Sequence, residues 1–460
     1  MKRVVGRWLF PVLILITTPN AFAGAPMPVE DINSGTNSAA PSDLTAVGDK
    51  LFFTAFTPQY GRELWTTDGT SEGTKLVKDF YPGPNLDGPA NLTAVDDWLF
   101  FTAYDDKGSP RLWRSDSSGK DVRRIGSGFV VDLANINGTL FFTTSTKNGA
   151  QLWKINNNLG KPLLVKSIKS KNGAIAYKLT NVVGTVYFLV YTKVGTKVGY
   201  KLWKSDGTTV GTVPVRDFPG EAVAHPDNLT NVNGTLFFTA YSPETGSELW
   251  KSDGTEEGTV VVKDIYSGPG SSDPMFLVNG EALLYFLAFQ PATGYQLWRS
   301  DGTSEGTFLV GEIVPKDNIP NYFRTSAIVN GKRTLGAGLN GNFFLVIRNF
   351  STGAELWSTD GLSTERFLSL TADPLHMGTL TAVDDMIVFS GNDGVNGSEL
   401  WVGDGESKAR MIEIAPGPGS SAPSNFTAAG NNLFFVADDG VTGRELWVIP
   451  IAALHDALNN

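Results

Sequence analysis

Gly246-Ser-Glu-Leu-Trp-Lys-Ser-Asp-Gly-Thr255 is the stretch that decides how this chain of 460 residues folds. Its Leu-Trp centre recurs at Trp65, Trp113, Trp153, Trp203, Trp250, Trp298, Trp357, Trp401 and Trp447, nine copies at a mean spacing of about 48 residues. Upstream lie Asn228-Leu-Thr-Asn-Val232 and Gly234-Thr-Leu-Phe-Phe-Thr-Ala240; downstream lies Gly258-Thr-Val-Val-Val-Lys-Asp-Ile265. Each unit reads as four short strands: Leu229–Val232, Thr235–Tyr241, Glu248–Lys251 and Thr259–Ile265. They are rich in β-branched and aromatic residues and are bounded by Gly, Pro, Asn and Asp. Asn233-Gly234 suits a two-residue hairpin whose central residues need positive φ. Asp253-Gly254 opens the next reversal, with the carboxylate able to accept from its own backbone two residues on. Only Ile449–Leu458 has a pattern compatible with a terminal helical turn.

The second strand of each unit is apolar on consecutive residues, as in Leu51-Phe52-Phe53, Leu236-Phe237-Phe238 and Leu433-Phe434-Phe435. A sheet with one wet face would alternate, so these sheets are covered on both sides. Four-stranded sheets packed face to face around an axis supply that cover, which predicts an all-β propeller. The recurring tryptophans are then core anchors, each burying about 150–250 Å² between sheets. The last copy ends at Glu445-Leu-Trp-Val-Ile-Pro450 without a fourth strand, and Val29-Glu-Asp-Ile32 matches the missing piece, Val262-Lys-Asp-Ile265. Pairing the two would close the ring and remove an open edge. Counting copies gives nine blades, with eight blades and one eccentric copy as the alternative.

The phrase itself resembles the signature of the ELWxxDGT-repeat proteins, a family of exported bacterial proteins. Glu63-Leu-Trp-Thr-Thr-Asp-Gly-Thr70, Glu248-Leu-Trp-Lys-Ser-Asp-Gly-Thr255, Gln296-Leu-Trp-Arg-Ser-Asp-Gly-Thr303 and Lys201-Leu-Trp-Lys-Ser-Asp-Gly-Thr208 carry the likeness. It implies an exported, propeller-like protein and no particular activity. The third copy departs from the pattern, reading Gln151-Leu-Trp-Lys-Ile-Asn-Asn-Asn158. The second has Asp116-Ser-Ser118, and Glu312–Asn342 is irregular.

Lys2, Arg3 and Arg7, the apolar Trp8–Ile16 and Ala21-Phe-Ala23 compose an export signal, giving residues 1–23 as leader. Residues 24–450 then form one repeat domain, with 24–40 as closing strand and loop, and 451–460 a tail. The expected location is secreted, periplasmic or at the cell surface, with no membrane insertion once the leader is removed. There is no cysteine, so burial and hydrogen bonding alone hold the fold. Loss of the leader takes three positive charges and no negative ones from a net −10, leaving −13. That average suits a soluble monomer and is a poor match for nucleic acid or anionic membranes.

With alternating strand direction, the second-to-third and fourth-to-first connections share one face and are the long ones. Function sits on long loops held by rigid scaffolds. The candidate ligand-binding residues are therefore Tyr60, Arg62, Tyr81, Tyr104, Asp105, Asp106, Tyr266, Tyr295, Asp438, Asp439 and Arg444. The three histidines, His225, His376 and His455, have no metal spacing. No Gly-x-Ser-x-Gly elbow or phosphate loop is present. Asp438-Asp-Gly440 and Asn392-Asp-Gly394, each followed by a motif glutamate (Glu445, Glu399), suggest calcium as a ligand, although turn formation also explains them. No catalytic set or cofactor is assigned. The leading expectation is a non-enzymatic module that binds an extracellular protein or glycan. The alternatives are a polymer-active enzyme using loop carboxylates and a structural surface or matrix component.

Overall fold

The computed structural model describes residues 24–105, 108–126, 128–156, 161–194, 197–220, 225–313, 327–329, 332–349, 353–370 and 380–459. The leader, Asp106 and His376 lie outside them. Nine four-stranded antiparallel sheets form a ring, so nine blades stand and the eight-blade alternative falls. In chain order the blades span residues 42–78, 90–124, 129–169, 174–220, 227–263, 275–311, 336–370, 380–412 and 424–450. Blade 5 has Asp227–Val232 innermost, then Thr235–Ser242, Gly246–Ser252 and Val260–Lys263 outermost. The first strand of each blade touches that of the next, and blade 9 touches blade 1.

The closure follows the sequence reading. Met27–Glu30 pairs with Arg444–Pro450 as the fourth strand of blade 9, with Met27 opposite Val448 and Pro28 opposite Trp447. Val29 and Ala39 are sealed in a core layer with Phe53 of blade 1 and Phe434 of blade 9. The irregular stretch before blade 7 contains a small hairpin, Ala327–Val329 with Lys332–Thr334. The C-terminal turn is a helix, Ile451–Asn459, which starts only after strand pairing ends at Pro450. Its Ile451, Leu454 and Leu458 pack on blades 8 and 9. No helix among the described residues is long and apolar enough to cross a membrane.

Turn chemistry sets the blade edges. Asn233 and Gly234 both have positive φ, 50° and 85°, as the hairpin requires. Asp253 Oδ1 accepts from the Thr255 N–H and hydroxyl, and Gly254 takes φ 89°. A Cβ at Gly258 would lie 2.1 Å from that carboxylate, which is why glycine recurs there. The innermost strand also carries a bulge, seen as register shifts with positive φ at Asp43, Asn91, Asn228 and Asn425. Asn and Asp tolerate that conformation best among residues with a side chain.

Consecutive apolar residues do pack in both directions. Phe237 belongs to the layer between blades 5 and 6, whereas Phe238 belongs to that between blades 4 and 5. Trp250, Trp298 and Trp447 are buried in such layers. Trp65, Trp113, Trp153, Trp203, Trp357 and Trp401 are half-buried and pack on the layers from their edges. The indole N–H of Trp113, Trp250, Trp401 and Trp447 donates to a second-strand carbonyl, that of Ala103, Ala240, Gly391 and Ala437 respectively.

Candidate functional site

Several candidate residues turn out to build the long-loop face itself. Arg62 Nη1 donates to the Ala40 carbonyl at 3.1 Å and to the Ser42 hydroxyl at 3.2 Å. Arg444, at the same repeat position, donates to the Ala422 carbonyl and the Ser424 hydroxyl, and burial lowers its pKa. Both lock a hairpin to the incoming first strand. Asp105 is buried, accepts from Arg111 Nε at 3.0 Å and lies 3.6 Å from Arg124 Nη1. Asp438 and Asp439 accept N–H groups of their own turn: Gly440 for the first, Val441 and Thr442 for the second. Asp393 accepts similarly from Val395 and Asn396. Among the described residues no three His, Asp or Glu converge as a metal set.

The tyrosines gather at blade junctions. Tyr81 and Tyr104 lie 5.8 Å apart between ring centroids, and Phe289 bridges Tyr266 and Tyr295 at 6.0 and 5.4 Å. Burial raises the Tyr295 pKa. Tyr60 is half-buried at the first hairpin, its N–H donated to the Thr57 hydroxyl. A third group was not foreseen: Tyr191 and Tyr200 at 5.4 Å, with His225 stacked on Tyr200 at 5.4 Å. The cross-strand pairing of Tyr191 with Tyr200 makes that contact, and an alternation of rings across the hairpin was its only signal.

The motif glutamates do something the sequence reading missed. Glu248 is fully buried and accepts the N–H groups of Ile265, Tyr266 and Ser272 and the Ser272 hydroxyl. Glu399 repeats this with Ile414, Ala415 and Ser421. Each clamps the loop that leads to the next blade. In blades 1 and 9 the serine is replaced by Asp87 and Ala39. Glu63 then keeps Tyr81 N–H, and Glu445 keeps Ala39 N–H. In both, Oε2 is buried without a hydrogen-bond partner, as are Oδ1 of the neighbouring Asp79 and Asp31. Burial, reinforced by those aspartates, pushes Glu63 and Glu445 up to about 7. At 1 % and 0 % exposure, neither reaches a solute.

An opening appears where the repeat breaks down. Between the outer strand of blade 2 and the irregular blade 3 lies a cleft of ≈ 590 Å³. Arg124 and Lys161 stand at its rim, both exposed, and Thr144, Gln151, Phe142 and Trp153 line it. Trp153 stacks parallel to Phe142, at 6.2 Å and 10°. Its Nε1 donates to the Thr144 hydroxyl, which donates on to Gln151 Oε1. Gln151 occupies the clamp glutamate's position, and Gly126 and Gly128 add no side chain to the wall. The result is an aromatic wall, neutral hydrogen-bonding groups and two cations, with no carboxylate among the described lining residues.

No family model and no curated protein sequence matches the chain. Solved structures of low similarity do. Puromycin hydrolase aligns at 17% identity and TM-score 0.41, over 76% of this chain and 58% of its own length. The β-propeller domain of the Trilobed protease from Pyrococcus furiosus aligns at 7% and 0.41, over 82% and 96%. Oligogalacturonate lyase in complex with manganese aligns at 12% and 0.38, over 78% and 87%. The chain thus spans less than two thirds of puromycin hydrolase, and no activity carries over from any of these.

Proposed function

We propose that this propeller is an exported binding module of the ELWxxDGT-repeat kind, and that the blade 2–blade 3 cleft holds its ligand. The observation that carries this reading is the lining: a half-buried Trp153, the Thr144–Gln151 pair and the rim cations, with no carboxylate or histidine among the described lining residues. Such a mixture orients and retains a polar ligand with apolar faces, and a glycan fits it best. The carboxyls shifted furthest from their ordinary range are sealed inside the loop clamps, which speaks for architecture rather than acid–base catalysis. The test is a glycan-array screen of the chain lacking residues 1–23, with Trp fluorescence titration of any hit. Whereas Thr146→Ala, which loses the same hydroxyl bonds to Gly149 and Asn148, should bind like the parent chain, Thr146→Trp, at an exposed rim position, should plug the cleft and abolish binding. Equal binding by this variant would overturn the assignment, and turnover of a bound glycan would favour the enzymatic alternative.

A further inference from the structure

The net charge of the chain conceals a sharp segregation. Residues 133–205, which cover most of blades 3 and 4, hold eleven lysines and no Asp, Glu or Arg. Several are engaged in joining blades. Lys154 Nζ caps the Gly207 carbonyl, Lys166 Nζ the Thr209 carbonyl, and Lys178 pairs with Asp227 of the next blade, while Lys201 pairs with Asp217 within blade 4. Lys147, Lys161, Lys169, Lys171 and Lys193 are exposed and form no ion pair among the described residues.

The topology brings four of these five to one face. Lys147 lies in the hairpin turn next to Thr146, which lines the cleft. Lys169 ends the outer strand opposite Gly149, and the Ser170 N–H donates to the Asn148 carbonyl, which seats Lys171 beside the same turn. Lys193 lies two residues beyond Tyr191 on the same strand, Thr185–Val194, toward its hairpin end. A basic track therefore leads from the Arg124–Lys161 cleft toward the Tyr191–Tyr200–His225 rings. The acidic blades opposite do not cancel it, because exposed charges are screened over about 8 Å at physiological ionic strength and sheets pack about 10 Å apart.

We infer that this sector binds a polyanionic polysaccharide, one bearing sulfate or carboxylate groups, with a sugar seated in the cleft and the following charges along the lysines. The inference rests on the binding reading above and adds its ligand class. Half-buried Trp and Tyr rings suit sugar faces. Beyond Arg124 at the cleft the track is built of lysine, whereas bidentate phosphate and base-edge recognition favours arginine, so nucleic acid is the poorer match.

The experiment measures binding of the chain lacking residues 1–23 to heparin, polygalacturonate, neutral dextran, single-stranded DNA and phosphatidylglycerol vesicles at 0.15 M salt. Heparin or polygalacturonate should bind, and more weakly as salt rises. Combined Lys147→Glu, Lys169→Glu, Lys171→Glu and Lys193→Glu should weaken this roughly 100-fold, whereas Lys75→Glu with Lys408→Glu, on other blades, should not. Unchanged affinity in the fourfold variant, failure of both polyanions to bind, or tighter binding of DNA or vesicles overturns the inference. A neutral glycan lost on Thr146→Trp while both polyanions fail would leave the binding module standing without this ligand class. Polyanion binding sensitive to the lysines and indifferent to Thr146→Trp would keep the track and remove the cleft.

Discussion

Blade 5 and blade 9 place a glutamate at the same point of the same strand, yet the two carboxylates live differently. Glu248 has every oxygen occupied, the last by the Ser272 hydroxyl. Glu445 faces Ala39, so one oxygen is left in the core with the Asp31 carboxyl nearby. Glu248 thus sits in a cage of three N–H groups and a hydroxyl, with burial still raising its pKa, whereas the less fully bonded Glu445 is pushed up to about 7. The ring's seam shares this incomplete clamp with blade 1, where Glu63 also keeps one N–H and an unpartnered oxygen.

The strongest way to break the comparison is to remove the seam. Deleting residues 24–41 strips the fourth strand and Val29 and Ala39 from blade 9, and should abolish the cooperative thermal transition in calorimetry. Next, Glu248→Ala leaves three buried N–H groups unpaired and should cost about 3 kcal/mol in urea denaturation, more than Glu445→Ala, which frees fewer. Titration tests the difference itself. Glu63 and Glu445 have folded values near 7 against an ordinary 4.5, so the folded state holds protons that the unfolded chain releases. Their contribution is fully present below pH 4.5 and is lost as pH rises through 7. Glu63→Gln with Glu445→Gln should flatten stability against pH in that window; Gln296 shows that the position accepts an amide. The smallest effects come from exchanging the hydroxyl. Ser272→Ala should destabilise by about 1 kcal/mol and Ala39→Ser should stabilise by a similar amount, read as opposite shifts in urea midpoint.

The ring was legible because its devices are local and repeated: Asn233-Gly234, Asp253-Gly254, the paired phenylalanines and the terminal match of Val29–Ile32. What escaped was relational. Arg62 and Arg444 looked like exposed loop charges, but their partners, Ala40 and Ala422, lie about twenty residues upstream. Glu248 sat in a strand pattern that said nothing of the loop it captures. Asn228 fell just outside the strand read at Leu229–Val232, whereas it lies within the innermost strand and marks its bulge. The cleft lies where Gln151 stands at the clamp glutamate's position, a departure visible in the sequence, but the wall it joins is assembled only in three dimensions. Whole-chain charge concealed the lysine sector, since a sum over 460 residues says nothing about what one screening length sees.

The strand exchanged between the two ends has a kinetic side. Within each blade, strands meet partners adjacent in sequence, whereas Met27–Glu30 must find Arg444–Pro450 across almost the entire chain. Contacts between distant segments form slowly, because the intervening chain must first be confined. Refolding should therefore be limited by this encounter, and amide exchange along Met27–Glu30 should outpace that of the eight blades whose strands are all contiguous.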